Sequence, residues 1–266
     1  MMTTQSDTTT IRTRRLPLLL IGVGAVAAVA ALGLWLFFGG DTPDEVSLDA
    51  AIESLDDSDT ESPAETTVAA ADADNSVGDG AAVLDGEWFI DTETGDFDYE
   101  TASGSFVGFR IEEELRNVGS TTAVGRTGDI TGSLTIEGTT VTAAAFEVDL
   151  TTITTETSNR DDNVQDALET GTFPTATFEL TEPIDLGADA ASAEAVTTTA
   201  SGSLTIHGVT RTVTFEMDAQ LVDDVIVAVG STTMLFSDYG VEVPSGGPVI
   251  TVDDFGVVEL QFLLRR

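Results

Sequence analysis

The 266-residue chain sets 47 Asp and Glu against ten basic residues, all of them arginine, for a formal charge of -37. That balance excludes nucleic acid as a partner, because a phosphate backbone needs cations to neutralise it, and it excludes docking on anionic lipid through a basic patch. With no cysteine present, disulfides, zinc–thiolate sites and thiol nucleophiles are excluded too.

In chain order, residues 1–15 form a polar tail that includes Arg12, Arg14 and Arg15. Leu16 to Phe38 then runs 23 residues without a charge, long enough to cross a bilayer. The next basic residue is Arg110, so the positive-inside rule leaves residues 1–15 in the cytoplasm and exports the chain beyond the run. The run exceeds the apolar core of a signal peptide and ends in the bulky Leu34-Trp-Leu-Phe-Phe38, which fits an uncleaved anchor over residues 16–38. Residues 39–85 read as an acidic, mostly disordered linker, with fourteen Asp and Glu and too little apolar surface to offset the entropy of ordering. Inside it, Thr42-Pro-Asp-Glu45 has the pattern of a capping box with Pro at the first helical position. Leu48, Ala51, Ile52 and Leu55 come next at helical spacing, a stripe that fits either a transient helix or one docked on a surface.

Residues 86–266 read as a single all-β domain of eight to ten short strands. Trp88 and Ile90 open it, and Ser105 to Ile111 continues it. Next comes a phrase that occurs twice. Gly132-Ser-Leu-Thr-Ile-Glu-Gly-Thr-Thr140 returns seventy positions later as Gly202-Ser-Leu-Thr-Ile-His-Gly-Val-Thr210, identical at seven of nine places. Each copy alternates apolar and polar residues, reaches a Gly suited to a tight reversal and leads into a strand containing Phe-Glu-x-Asp. Two copies are too few for a solenoid, so one closed sheet using the same hairpin twice is the expectation. Between them, Ser158 caps a predicted helix over Asn159 to Glu169, with Asp161 three residues on, and Thr175 to Leu180 forms a strand. Val225 to Val229, Thr233 to Phe236 and Phe255 to Leu264 complete the strands.

The chemistry of catalysis is missing. His207 is the only histidine, and no nucleophile or orienting carboxylate accompanies it. Its counterpart in the first phrase is Glu137, a substitution that predicts an exposed turn neighbour. No nucleophile elbow, phosphate loop or dinucleotide fingerprint occurs. The pairs Asp161-Asp162, Asp223-Asp224 and Asp253-Asp254 read as caps and turns, so no catalytic residue, metal or cofactor is expected. What remains is an apolar face: Phe146, Val148, Leu150, Phe178, Leu180, Leu204, Ile206, Val213, Phe215, Met217, Leu260 and Phe262 all point one way if the sheet closes. A barrel of about eight strands is either filled by its own side chains or just wide enough for one small ligand. Periodicity does not separate the two.

Asn159-Arg-Asp-Asp162, Ala167 to Leu180 with its Phe173-Pro174, and Leu204-Thr-Ile-His-Gly-Val-Thr-Arg211 together resemble the YceI-like, polyisoprenoid-binding family, over roughly residues 86–264. The resemblance implies a lipocalin-like antiparallel barrel with one short helix, whose cavity holds an apolar lipid in the cell envelope. Carried over residue by residue, Arg160, Asp161, His207, Gly208 and Arg211 are its structural motif, with the two arginines bracing helix and turn. Phe146, Val148, Leu150, Phe178, Leu180, Leu204, Ile206, Phe215, Met217 and Phe262 are the expected lipid contacts. Phe236 stands where many members have an arginine, and Glu112 to Glu114 lie where a basic residue is common. An isoprenoid or quinone with a neutral head therefore suits this chain better than a diphosphate. The expectation is a membrane-anchored, extracytoplasmic, non-catalytic lipid-binding protein. Its alternative is a fully packed barrel that serves as a structural or interaction module of the envelope.

Overall fold

The computed structural model describes residues 42–58, 84–92, 96–243 and 249–266. The anchor expected at residues 16–38 and most of the linker lie outside them. Among the described residues no helix is long and apolar enough to cross a membrane.

The strands are β1 (Gly86–Ile90), β2 (Phe106–Leu115), β3 (Gly119–Thr127), β4 (Ile130–Glu137), β5 (Thr140–Asp149) and β6 (Thr175–Leu180). The two-residue β7 (Ile184–Asp185), β8 (Val196–Ile206), β9 (Val209–Val222), β10 (Val225–Leu235) and β11 (Val249–Arg265) come after them. Eight of them close an antiparallel barrel in the order β1, β4, β5, β6, β8, β9, β10, β11 and back to β1. The long β11 makes closure possible. Its C-terminal end pairs Leu264 with Ile90 of β1, while its earlier residues pair with β2, whose hairpin partner β3 extends the sheet. Helix α1 (Leu48–Ser58) lies outside the barrel. Helix α2 (Ser158–Ala167) packs at one end of it, and the short α3 (Gly187–Ala191) at the other.

Alternation along the strands produces two cores. Inward residues such as Leu260, Phe262 and Leu264 belong to the barrel interior. The residues between them, Glu259, Gln261 and Leu263, face outward and are still buried, because other segments cover them. Leu263 joins Val225, Val227 and Val229 in a seam closed by Ala51, with Leu48, Ile52 and Leu55 packed around it. The apolar stripe of residues 48–55 is thus satisfied by the barrel itself. Its helix begins later than the capping-box pattern suggests. Ser47, not Thr42, caps it, through Ser47 Oγ accepting from the Ala50 amide at 3.3 Å.

Residues 42–47 are instead extended over the outer face. There the Asp44 carbonyl accepts from Arg126 Nη2 at 2.8 Å and from Arg110 Nη1 at 3.1 Å. Arg126, wholly buried, also donates from Nε and Nη2 to Glu259 Oε1 at 2.9 and 2.7 Å and lies over the Phe106 ring. Gln261 donates to the Ala102 and Gly104 carbonyls and so ties the 96–105 loop over the same face.

Other boundaries differ from expectation for local reasons. Val225 to Val229 and Thr233 to Phe236 are one strand, since Gly230 pairs in the ladder, and Phe236 itself starts a 3₁₀ turn, Phe236–Tyr239. Helix α2 starts at Ser158 with Thr157 at its cap position, and Asp161 bonds back to the Thr155 amide and hydroxyl at 2.6 and 2.7 Å. The pair Asp223-Asp224 forms the β9–β10 turn, with Asp223 in the left-handed region.

Ala51→Asp places a charge in the α1 seam, and we expect it to release the helix and lower the unfolding free energy by about 2–4 kcal/mol. Urea denaturation with hydrogen exchange reads this as a lowered midpoint together with lost amide protection at residues 48–55.

Candidate functional site: the barrel interior

The interior is not filled. A cavity of about 230 Å³ runs through the barrel, bounded by residues from both ends. One water occupies about 30 Å³ of liquid, and close-packed interiors leave few voids larger than that. This space is therefore a built feature, since a fully packed barrel would leave none of comparable size.

The wall is almost entirely hydrocarbon. All ten side chains expected from sequence to point inward as contacts lie on it: Phe146, Val148 and Leu150 of β5 and its end, Phe178 and Leu180 of β6, Leu204 and Ile206 of β8, Phe215 and Met217 of β9, and Phe262 of β11. Leu260 joins them. Val213 does not; it packs against both the main core and the smaller cluster of Leu204, Met234, Tyr239 and Val241. Two aromatic pairs shape the space. Phe146 and Phe262 have ring centroids 4.7 Å apart, and Phe178 meets Phe215 edge-on at 5.7 Å.

The first residue of each repeated phrase creates that shape. A Cβ on Gly132 would come within 2.6 Å of the Phe146 ring, and one on Gly202 within 2.3 Å of the Phe178 ring. Each Gly gives the neighbouring strand's Phe room to lie against the wall instead of standing across the axis. The turns that close the two phrases differ. In the second, His207 and Gly208 both have positive φ and join Ile206 directly to Val209 as a two-residue hairpin. In the first, a bulge at Thr135/Ile136 moves the reversal one residue on, to Gly138-Thr139.

His207 is not the exposed turn neighbour that Glu137 is. Its side chain is 13 % exposed, its ring meets Phe173 edge-on at 4.6 Å, and Nδ1 donates to the Tyr239 carbonyl at 3.2 Å. Arg211 donates twice to the Asp238 carbonyl, at 3.1 and 2.9 Å. The hairpin thus holds the 3₁₀ turn 236–239, and that turn sets Phe236 into the cavity wall. Arg160 bonds Glu156 and Glu113, joining α2 to β2. Both motif arginines brace the α2 end, and neither lies on the cavity wall. Burial raises the Glu113 carboxyl above its ordinary value near 4.5, against the opposing pull of Arg160.

Several wall residues had no clear sequence signal. Leu84, Ile184, Leu186 and Ala190 come from segments too short to show a period, and Glu194 and Gln220 are polar. Phe236 and Val107 to Phe109 complete the wall. Among the described residues lining the cavity, Glu194 is the only charged one.

Comparison with family sequence models matches the YceI-like domain over residues 98–263, more than half of the chain. The chain belongs to the YceI-like family. Comparison with curated proteins returns no match. Among solved structures, BcnA of Burkholderia cenocepacia is similar at 18 % identity and a TM-score of 0.48, over 61 % of this chain and 96 % of that one. A polyisoprenoid-binding domain from Saccharophagus degradans is similar at 19 % identity and 0.47, over 60 % and 97 %. The YceI protein of Campylobacter jejuni is similar at 16 % and 0.45, over 53 % and 84 %. In this YceI-like barrel the interior wall and the bracing motif are separate sets of residues, one apolar and central, the other polar and terminal.

Wall and brace can each be tested by one substitution. Gly202→Ala pushes Phe178 into the cavity, and urea unfolding should show a loss of about 1–3 kcal/mol. A raised carboxyl pKa means the folded state holds the proton more tightly. Glu113's contribution to stability is therefore full below about pH 4.5 and is lost as pH rises through its folded value. Glu113→Gln should remove that component from the pH dependence of the urea midpoint, and an unchanged profile would refute the burial effect.

Proposed function

We propose that this protein is a non-catalytic binding protein that holds an apolar lipid chain, of isoprenoid or quinone type, inside its barrel. The single observation that carries the reading is the unfilled cavity whose wall is built almost wholly from hydrocarbon. Membership of the YceI-like family supports lipid binding in general. A chain that buries about 300 Å² of apolar area gains roughly 7.5 kcal/mol at about 25 cal/mol per Å², before its own ordering is subtracted. Specificity for a neutral head follows from the wall, whose described residues include no cation to favour a phosphate.

The uncharged run at residues 16–38, with three arginines before it, supports a single-pass anchor that leaves the barrel on the extracytoplasmic side. The lipid would then be exchanged at or near the membrane that tethers its carrier.

Native mass spectrometry of the full chain titrated with farnesol tests the binding claim. The wild type should take up one molecule, and Ala200→Trp, which sets a large ring on the cavity wall, should weaken uptake by about tenfold or more. No uptake by a folded wild type, or equal uptake by the folded variant, would contradict it.

A further inference from the structure

The cavity has two ends, and they differ. At the α2 end the wall is made of buried or half-buried residues, apolar apart from Thr127 and Thr177. At the α3 end it includes Gln220 and Glu194, and Glu194 is the one exposed residue among all those lining the space. A residue that both borders an interior and meets solvent marks where the interior opens. Resting on the lipid-binding reading above, we infer that the ligand enters past the α3 end and leaves its head group there, and that Glu194 selects against anionic heads.

The local structure fits a rim. Helix α3 is one turn long, and Ala190 and Leu186 set their side chains on the cavity wall. The segment after it turns back through Ala193, in the left-handed region, with the Glu194 amide donating to the Asp189 carbonyl. Gln220 Nε2 donates to the Ala193 carbonyl at 3.1 Å and holds this rim to β9. Gln220 and Glu194 thus stand together at the mouth, one a neutral hydrogen-bonding amide and the other a carboxylate.

The surrounding charge has the same sign. Asp185, Asp189, Asp223 and Asp224 are exposed at this end of the barrel. The cations there are engaged: Arg265 pairs with Asp91 and Asp224, and Arg266 lies over the Trp88 ring. At such a mouth a hydroxyl donates to Gln220 Oε1, and a quinone carbonyl accepts from its Nε2. A carboxylate or diphosphate meets Glu194 with no wall cation to offset it, a penalty on the order of tenfold in affinity for a partly solvated pair.

Two prenyl probes with one tail separate head from chain. Farnesol and farnesyl diphosphate are titrated into the full chain and into Glu194→Lys and Asp129→Lys, at low salt, with binding read by calorimetry. Asp129 is exposed at the opposite end, so its variant carries the same change in net charge away from the mouth. We expect Glu194→Lys to tighten farnesyl diphosphate about tenfold more than Asp129→Lys does, with farnesol unchanged in both. Equal effects of the two variants on the diphosphate would overturn the assignment of the mouth and leave lipid binding standing. Failure of the wild type to bind either probe would overturn lipid binding itself, and the mouth with it.

Discussion

Closure of the sheet through β1 is the constraint on which the rest of the structure depends. Five residues, Gly86 to Ile90, join β4 on one side to the end of β11 on the other, and without them the eight strands form an open, curled sheet. Trp88 anchors the seam: it is buried, its indole donates to the Leu84 carbonyl at 2.8 Å, and Arg266 covers its face. Closing a barrel of this size fixes its radius, and radius decides how far inward side chains reach. Here they do not reach across. The unfilled volume is therefore a consequence of strand number together with the glycines that let Phe146 and Phe178 lie along the wall.

A hollow interior removes packing that would otherwise stabilise the domain, and the outer layer supplies apolar burial elsewhere. Helix α1 and the 96–105 loop cover the outward face of β10 and β11, so these strands are buried on both sides where β6 is not. The Arg126–Glu259 pair lies under this cover, and the Asp44 carbonyl accepts from the same guanidinium. Such a pair adds little net stability, and its disruption leaves an uncompensated buried charge, so it fixes the register of residues 42–47 more than it strengthens the fold.

What the sequence makes legible is the part governed by period two. β5, β6, β8 and β9 each have one more buried face, and inward residues of all four lie on the wall. β3 escapes detection because Ala123 to Thr127 are all buried, Arg126 among them, so neither burial nor polarity alternates along it. The docking of α1 is visible as a stripe, yet its partner surface comes from Val225, Val227 and Leu263, more than 160 positions away, and no local pattern names them. Glu137 and His207 occupy matching places in the repeat and differ in burial because only the second hairpin has Phe173 and the 236–239 turn beside it. Glu194 is polar, in a loop, and marked only by where the barrel ends.

The central claim, that the cavity exists to hold an apolar chain, is tested most directly by a crystal structure of the protein purified from its native cells without added ligand. The account predicts continuous tubular density along the axis between Phe146, Phe178 and Phe215, ending near Glu194. Ordered water in that space, or side chains collapsed across it, would contradict the account.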